Sequence, residues 1–508
     1  MERTKTQLHG MARLTDTVAV MVAAVVGGML LLAFFGLYFM SRSVMPAWAS
    51  LLSTLLAVAG ATAAGLVLMR LAKNRLAAED QSRLRAWVKK SQGEDRLCFA
   101  LLAAFLLPRL LLAVVLPHEL ESDFHFYVSN ATAYAETGVF PHSLYLRAHA
   151  PNAILFIWLM GSVFRLVGCS YYAAWGMDLV WAWATVLLFY SIARRFLSRR
   201  HSFTAALIYA LLPSHVLYSA LPSTEKVTMF TLLLGEWLAL HATDRGRLPV
   251  KLLLAALSGA CLAASGAVRP VAPLLLAGLV IAAPARSSDM AKGWRQVAVL
   301  AVIAAAYLLS AKLLDGFAAA LVGGEKAGSS MGWALFEGLD ATSGGAWSQQ
   351  NSEVMHEVLN GYPISEMNGE FLKRLQVRLS GYSVGTWAGM FLHKNANMWI
   401  ENSYAVAALN PLLNSGRLGT TVYGAVAGLL SAGHAVWMAM LGLSLLAWLR
   451  GGRQHLYPVV LHLTPVFCLM VWHSFGTSIS RYHYVAVPFL LLLTFLVLQP
   501  APDNSLTN

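Results

Sequence analysis

The sequence predicts an all-α polytopic membrane protein, a bundle of about 12 membrane-spanning helices (11–13) with its functional site built from connecting segments on one side. Of its 508 residues, 57% are hydrophobic and only 12% are charged, whereas charged residues make up roughly 25% of a soluble domain. Apolar runs long enough to cross a bilayer recur along most of the chain. In lipid, a helix satisfies its own backbone hydrogen bonds, so these runs are expected to be helical.

The spans divide the chain into four parts. Residues 1–96 hold two accessory spans and a basic loop, residues 97–314 a core that includes a first outer loop at 118–150, residues 315–418 a large outer loop with interfacial helices, and residues 419–508 the last spans. The first run is too long for a signal peptide and lacks a small-residue cleavage site, so it is expected to be retained. The predicted spans are 17–40, 47–69, 97–117, 172–193, 202–220, 227–242, 251–268, 271–284, 296–314, 420–449, 457–473 and 484–499.

The distribution of basic residues predicts the orientation. The net charge of +12 is concentrated in short loops, which indicates cytoplasmic loops rather than a nucleic-acid partner. Loop 118–150 has one clear cation, Arg147, and is placed outside. Between the outer loop and the basic, cytoplasmic Arg194-Arg195, the chain must cross the membrane an odd number of times. The run Pro151–Gly168 is short and begins at a proline, so it is interpreted as re-entrant or interfacial rather than as a crossing. Both termini are then cytoplasmic, and a bacterial plasma membrane is expected.

The outer segment 315–418 is too long for a simple connection and is expected to be functional. Its Gly-, Ser-, Thr- and Trp-rich part, residues 332–350, is interpreted as a loop over a pocket. Ser365–Leu379 and Trp387–Trp399 have helical periodicity, the second with the aromatic content of a helix in the headgroup layer.

The four cysteines, Cys98, Cys169, Cys261 and Cys468, lie in or beside apolar runs without CxxC or Cys/His spacing. This pattern argues against a disulfide framework and against a zinc site.

Two acids at the outer rim are the candidate catalytic residues. A polar loop, Glu121–Tyr127, contains Asp123, with His125 and Tyr127 two and four residues later. A carboxylate at a bilayer rim is typical of a general base or a metal ligand. The structural alternative is a solvated acid at the end of a helix. Glu225 follows Thr224, which is also interpreted as a helix cap.

Cations on the same side complement these acids. Arg481, between Ser480 and Tyr482-His483, precedes the last span and could bind a phosphate by charge and hydrogen bonding. The structural alternative is an aromatic anchor at the membrane surface with an arginine that extends its charged group to water. Arg269 and Lys394 are further candidates.

Three charges fall within spans, namely Arg109, Asp178 and Glu236. A charge at bilayer depth needs a partner, so Arg109 is expected to pair with one of the two acids.

The order of these weak motifs resembles the GT-C superfamily of membrane glycosyltransferases, nearest the protein mannosyltransferases and bacterial aminoarabinose transferases. The resemblance covers roughly residues 97–499, with no motif specific by itself. Relatives often have two adjacent acids in the first loop, whereas Asp123 has Glu121 two positions before it. The motifs, in order, are Asp123, Tyr134–Gly138, Pro151–Gly168, Ala210–Pro213, Glu225, Gly266–Pro270, Gly338–Gly345, His393-Lys394 and Ser480–His483.

The resemblance implies a sugar donor linked to polyprenyl phosphate and an inverting transfer to an acceptor hydroxyl on a glycan, lipid or protein at the outer face. Asp123 would be the base, and Glu225 would orient the acceptor or share Mg²⁺ or Mn²⁺ with Asp123. The donor phosphate would bind Arg481, Arg269, Lys394, Tyr482 and His483, while His125, Tyr127 and Trp347 would contact the acceptor or the covering loop. The alternatives are a flippase or transporter of lipid-linked saccharide and a surface-polysaccharide polymerase or ligase.

Overall fold

The regular elements of the chain are helices wherever the structure, a computed structural model, describes it. The described residues are 2–41, 46–77, 94–116, 119–244, 247–286, 290–327, 330–451 and 455–499. Within them, nine helices are long and apolar enough to cross a membrane. The predicted all-α polytopic class is therefore confirmed, and the chain is an integral, multi-pass membrane protein. Most of the basic connector after the second predicted span, residues 78–93, lies outside the described residues.

The first two thirds of the chain form the larger part of the bundle. Its helices are α1 (Glu2–Leu32), α2 (Gly36–Ser41), α3 (Ala47–Ala77), α4 (Glu94–Val115), α5 (Ser122–Thr137), α6 (Ile154–Val167), α7 (Tyr171–Ala193), α8 (Arg199–Leu211), α9 (Pro213–Tyr218), α10 (Thr224–Ala242), α11 (Leu248–Val268), α12 (Ala272–Arg286) and α13 (Met290–Leu321). A short π-helix at Tyr145–His149 and a 3₁₀ turn at Pro151–Ala153 precede α6.

After α13 comes a long connecting segment, residues 322–419, before the last membrane helices. It contains α14 (Met331–Gly338), α15 (Gln349–Gly361), α16 (Ile364–Ser380), α17 (Val384–Trp399), a 3₁₀ helix (Ser403–Leu409) and α18 (Asn410–Asn414). The chain ends with α19 (Thr420–Arg450), α20 (Leu456–Phe475), a 3₁₀ helix (Ser480–Ala486) and α21 (Val487–Leu498).

Helix packing joins distant parts of the chain around one main core. Helix α11 lies between α10 and α13, α12 packs on α20, and α1 packs on α19. Helix α17 of the long connecting segment packs on α2, where a Cβ at Gly36 would lie 1.9 Å from the Leu392 carbonyl oxygen. Buried residues of α1, such as Val26, belong to the same apolar cluster as those of α10 and α21.

Three predicted boundaries differ from the structure. The span predicted at 202–220 is two helices, because Pro213 has no N–H for a continuous helix and starts α9 as its first residue. The span predicted to end at 314 continues to Leu321, so the long connecting segment starts later. The loop predicted at 332–350 contains α14 in its first half, where Trp333 and Phe336 are buried.

The predicted helices of the long connecting segment, 365–379 and 387–399, are confirmed as α16 and α17. Three predicted spans, which correspond to α8 with α9, to α10 and to α12, are not among the nine long apolar helices. The count of about 12 spans therefore stays a prediction. Helix α6 has 14 residues, about 21 Å at about 1.5 Å per residue, so it is shorter than a hydrocarbon core. Its re-entrant placement also stays a prediction.

The expected pairing of Arg109 with Asp178 or Glu236 is wrong. Arg109 donates to the backbone oxygens of Phe105 and Ala210, both at 2.8 Å. Asp178 pairs with Lys226 at 3.0 Å, and Glu236 Oε1 is hydrogen-bonded to His462 Nε2 at 2.8 Å. Each acid therefore has a closer partner than Arg109, whose Nη1 bonds to two backbone oxygens while its buried Nε has no hydrogen-bond partner.

Candidate active site

The two candidate acids begin helices. Asp123 lies in the first turn of α5 and Glu225 in the first turn of α10, where the positive end of the helix dipole stabilises a carboxylate. The segment predicted as a polar loop at 121–127 is thus the start of α5. That helix ends at Gly138 with a φ of 72°, a left-handed conformation that glycine adopts without strain.

Two arginines join these acids in one cluster. Arg481 donates through Nη2 to Asp123 Oδ2, and its Nε lies 3.7 Å from Glu225 Oε1. Arg269, immediately after α11, donates to the same Glu225 oxygen at 2.6 Å and to Thr224 Oγ1 at 2.9 Å. Thr224 is thus a contact of Arg269, and the residue preceding α10 at its N-cap is Ser223. The Arg481 guanidinium therefore lies between both carboxylates, and the Arg269 guanidinium binds Glu225 from a second side.

Tyr482 forms one wall of this cluster. Its ring centre lies 5.1 Å from the guanidinium carbon of Arg269 and 5.6 Å from that of Arg481, within the range of cation–π attraction. On another side, the ring stacks on His473 at 5.2 Å. The predicted group of Asp123, Glu225, Arg269, Arg481 and Tyr482 is therefore assembled in one place.

Asp123 and Glu225 differ in access to solvent. The Asp123 side chain is 36% exposed and that of Glu225 only 2%. Partial burial raises the pKa of the Asp123 carboxyl, but Arg481 and then Arg269 more than offset this and hold the pKa below its usual value. Asp123 is thus an ionised, accessible acceptor at neutral pH, whereas Glu225 is enclosed.

A cavity of about 680 Å³ adjoins the cluster. Glu225, Arg269 and Tyr482 belong both to the cluster and to the cavity wall. Most of the remaining wall is apolar, contributed by residues of α11, α12, α13 and α20 such as Ala263, Leu274, Ala318 and Leu469. An apolar cavity with a few polar groups in its wall suits an amphiphilic ligand with a polar head.

Two lysines in the cavity wall were missed in the sequence. Lys326 pairs with Asp315, while Lys312 has no ion-pair partner among the described residues. With Arg269, the wall has three cations against the two carboxylates Glu225 and Asp315. The signal was available, since Lys312 interrupts an apolar run in which a charge is costly.

Four other predicted residues are not members of the ion cluster. His125 is exposed on α5, Trp347 is 61% exposed on the long connecting segment, and neither lines the cavity. Tyr127 is buried with its ring edge-on to Phe156 at 5.3 Å. His483 is buried and bonded to the Met398 oxygen at 2.9 Å and to Asn402 at 3.0 Å. None of the four forms an ion pair with the cluster, although Tyr127 lies close enough to Asp123 and Arg481 to interact with their charges.

Lys394 also lies outside the cluster. Its side chain is fully buried, and its ammonium group donates to the backbone oxygens of Gly338 and Gly476, the second at 2.6 Å. Burial lowers the pKa of Lys394 to about 7, although Glu337 opposes this shift. Because its donors are occupied and enclosed, this geometry does not present Lys394 to a phosphate.

The donor set does not form a ready site for the predicted divalent ion. Each of the two cluster carboxylates is engaged by a guanidinium. Among the described residues, no group of three His, Cys, Asp or Glu side chains is arranged to hold a metal. An ion bound between Asp123 and Glu225 would have to displace Arg481, so no step below is assigned to a metal.

Comparisons with known proteins add little to this geometry. No protein-family model matches the chain, and no curated protein matches it in sequence. Among solved structures, it is similar to ArnT from Cupriavidus metallidurans bound to undecaprenyl phosphate, with a TM-score of 0.35 and 13% identity, over 78% of this chain and 77% of that chain. A likeness this distant carries no argument about the site or the activity.

Proposed function

We propose that the protein is a membrane glycosyltransferase that moves a sugar from a polyprenyl-phosphate donor to an acceptor hydroxyl at the outer face of the membrane. The observation that carries the proposal is the ion cluster of Asp123, Glu225, Arg269 and Arg481 beside an apolar cavity. The order of motifs that resembles the GT-C superfamily supports the same reading. A polyprenyl chain suits the apolar wall, and its phosphate suits the arginines of the cluster.

In the proposed reaction, the acceptor oxygen attacks the anomeric carbon of the sugar as the bond from that carbon to the phosphate oxygen breaks. The bonding electrons leave with polyprenyl phosphate, and the hydroxyl proton passes to Asp123. Asp123 is preferred to Glu225 as the base because its side chain is 36% exposed and that of Glu225 is 2% exposed. Glu225 fixes Arg269, and Arg269 and Arg481 stabilise the charge that develops on the phosphate.

The pairing of Asp123 with Arg481 gives the donor a second role in this scheme. A phosphate that binds Arg481 competes with Asp123 for the guanidinium. Weakening that pair raises the affinity of Asp123 for a proton, because the neighbouring positive charge is what holds its pKa low. Donor binding would thus convert Asp123 from an ion-pair partner into a stronger base.

Purified protein offered a panel of polyprenyl-phosphate sugars and acceptors tests the proposal, with Asp123→Asn compared to wild type. We expect wild type to release polyprenyl phosphate and Asp123→Asn to be slower by about a hundredfold or more. Glu121→Gln is the matched control, since Glu121 is bound by Asn410 and Asn414 rather than by the cluster. If no donor turns over while lipid still binds both forms equally, the protein is a carrier of lipid-linked saccharides instead.

A divalent ion remains a separate prediction. The same assay with and without EDTA tests it, followed by readdition of Mg²⁺ or Mn²⁺. Loss of turnover that either ion restores would support a metal shared by Asp123 and Glu225. Full activity after exhaustive chelation would leave the two arginines as the groups that stabilise the phosphate.

A further inference from the structure

The segment that presents Arg481 and Tyr482 is held from outside the membrane helices. Residues 476–480 join α20 to the 3₁₀ helix Ser480–Ala486, and Gly476, Thr477 and Ser478 in this segment are buried. Local bonds tie it to α20, where Trp472 accepts from the Gly476 N–H and His473 bonds to the Thr477 oxygen, both at 2.7 Å. Further partners come from α14, α17 and the turn after α14, all in the long connecting segment.

Each of the three residues has a partner there. Lys394 donates to the Gly476 oxygen at 2.6 Å, and Thr477 Oγ1 donates to Glu337 at 2.9 Å. The Ser478 N–H donates to the Gly345 oxygen at 2.9 Å. The Ser478 hydroxyl donates to the Lys394 oxygen at 3.0 Å, and Asn397 donates to the Ser478 oxygen at 2.8 Å.

Lys394 is central to this arrangement because its side chain, on α17, bonds to backbone oxygens at the end of α14 and just after α20. Its ammonium group also donates to the Gly338 oxygen. A Cβ at Gly338 would lie 2.2 Å from the Gly476 carbonyl carbon, and one at Gly345 would lie 2.8 Å from Lys394 Nζ. Side chains are excluded at both positions, so the backbones approach closely and the ammonium group fills the polar gap between their carbonyl oxygens.

We propose that Lys394 is a positioning residue that fastens residues 476–480 to the long connecting segment and thereby holds Arg481 and Tyr482 in the ion cluster. Its effect on turnover rests on the proposed function, but its effect on the order of the segment does not. Without the ammonium group, the Gly338 and Gly476 oxygens lose their shared donor in a buried site, which favours local opening. Arg481, five residues after Gly476, would then no longer be fixed against Asp123.

Hydrogen exchange of the purified full-length protein tests this directly. Lys394→Met keeps the length of the side chain and removes its donors. We expect amides in peptides covering residues 475–486 to exchange about tenfold faster or more, with the remaining peptides of α20 and α21 unchanged. Lys373→Met is the matched control, because Lys373 is a 78% exposed lysine of the same segment. Equal exchange in wild type and Lys394→Met would overturn the proposal.

A second variant keeps the test decisive if Lys394→Met does not fold. Asn397→Ala removes only the bond to the Ser478 oxygen, and we expect faster exchange confined to the same peptides. If wild type turns over a donor, Lys394→Met should have lower activity per folded molecule. Lys394→Gln, which keeps an amide donor, should retain more of that activity than Lys394→Met. Unchanged activity per folded molecule would contradict the positioning role. Absence of wild-type turnover would contradict the proposed function, but hydrogen exchange would still test whether Lys394 orders residues 476–480.

Discussion

Glu225 depends on its arginines more than any other residue of the site. Its side chain is 2% exposed, and Arg269 is its closest cationic partner at 2.6 Å. A buried carboxylate that loses its partner keeps the cost of its desolvation without the compensating attraction. The stability of the cluster should therefore depend on keeping its charges in balance.

Arg269→Gln is expected to destabilise the protein by about 3 kcal/mol, the cost of removing one partner of a buried ion pair, because Glu225 then keeps only the more distant Arg481 at 3.7 Å. The double variant Glu225→Gln/Arg269→Gln should lose less stability than Arg269→Gln alone, because it no longer buries the Glu225 carboxylate without Arg269. Thermal unfolding of the two single variants and the double variant in the same detergent measures this coupling. Strictly additive losses would mean that Glu225 and Arg269 do not depend on each other.

Glu337 should make stability depend on pH. Burial raises the pKa of its carboxyl from 4.5 to about 7, with Thr477 and Lys394 opposing and Asp123 and Asp340 reinforcing the shift. Because the folded pKa is the higher one, its contribution is fully present below about pH 4.5 and is lost as the pH rises through about 7. Lys394, lowered to about 7, changes stability in the opposite direction above that pH.

The measurement is the unfolding temperature of wild type and Glu337→Gln between pH 5 and 7. We expect wild type to lose stability relative to the variant across this range, since glutamine stays neutral. Parallel curves would show that Glu337 does not titrate there. Below about pH 7 the contribution of Lys394 to stability changes little with pH, so the difference between the two proteins isolates the glutamate.

Residue types at the site could be predicted from the sequence, but their pairings could not. Charged groups at the ends of apolar runs identified Asp123, Glu225, Arg269 and Arg481. Asp123 and Arg481 are 358 positions apart, and the choice between Arg481 and Lys394 as a cluster member depends on packing. The error over Arg109 has the same cause, since nearby carbonyl groups compete with distant acids.

At the scale of elements, close backbone contact fixes α14 against the end of α20. Gly338→Ala is expected to destabilise the protein by about 1–3 kcal/mol, because overpacking a tight contact forces the backbone apart. The added Cβ would lie 2.2 Å from the Gly476 carbonyl carbon. Gly369→Ala in α16 is the control, since its Cβ would meet nothing within 4 Å. Alanine there should be neutral or slightly stabilising, and equal losses in the two variants would exclude the contact as the cause.

Helix boundaries followed from the sequence where one local signal dominated. The periodicity of residues 365–379 and 387–399 corresponds to α16 and α17. The prediction was wrong at Pro213, where the apolar run was given more weight than the break. It was also wrong at the end of α13, where the charges at Lys312 and Asp315 suggested a boundary that the helix passes.

At the scale of the whole molecule, the site depends on segments from four distant parts of the chain. Helices α5 and α10 supply the acids, Arg269 follows α11, and the segment after α20 supplies Arg481. The long connecting segment contributes to the cavity wall through Lys326, Met331 and Ala334. Local sequence reasoning could place these segments on one side through span parity, but which of them touch depends on the packing of the whole bundle.

The orientation of the bundle is the remaining whole-molecule prediction. Short basic loops such as the one with Arg194, Arg195, Arg199 and Arg200 favour the cytoplasmic side. The long connecting segment should then face outward. In a background without the four native cysteines, Glu353→Cys on α15 should react with a membrane-impermeant thiol reagent in intact cells. Arg450→Cys, at the far end of α19, should react only after permeabilisation.

Both side chains are exposed in the fold, so access alone cannot explain a difference between them. The reverse labelling pattern would place the ion cluster on the cytoplasmic side. Nucleotide-linked sugars would then reach it directly, and the case for a polyprenyl-phosphate donor would lose its topological basis. Labelling of both sites in intact cells would point to damaged membranes, which a cytoplasmic marker protein in the same sample detects.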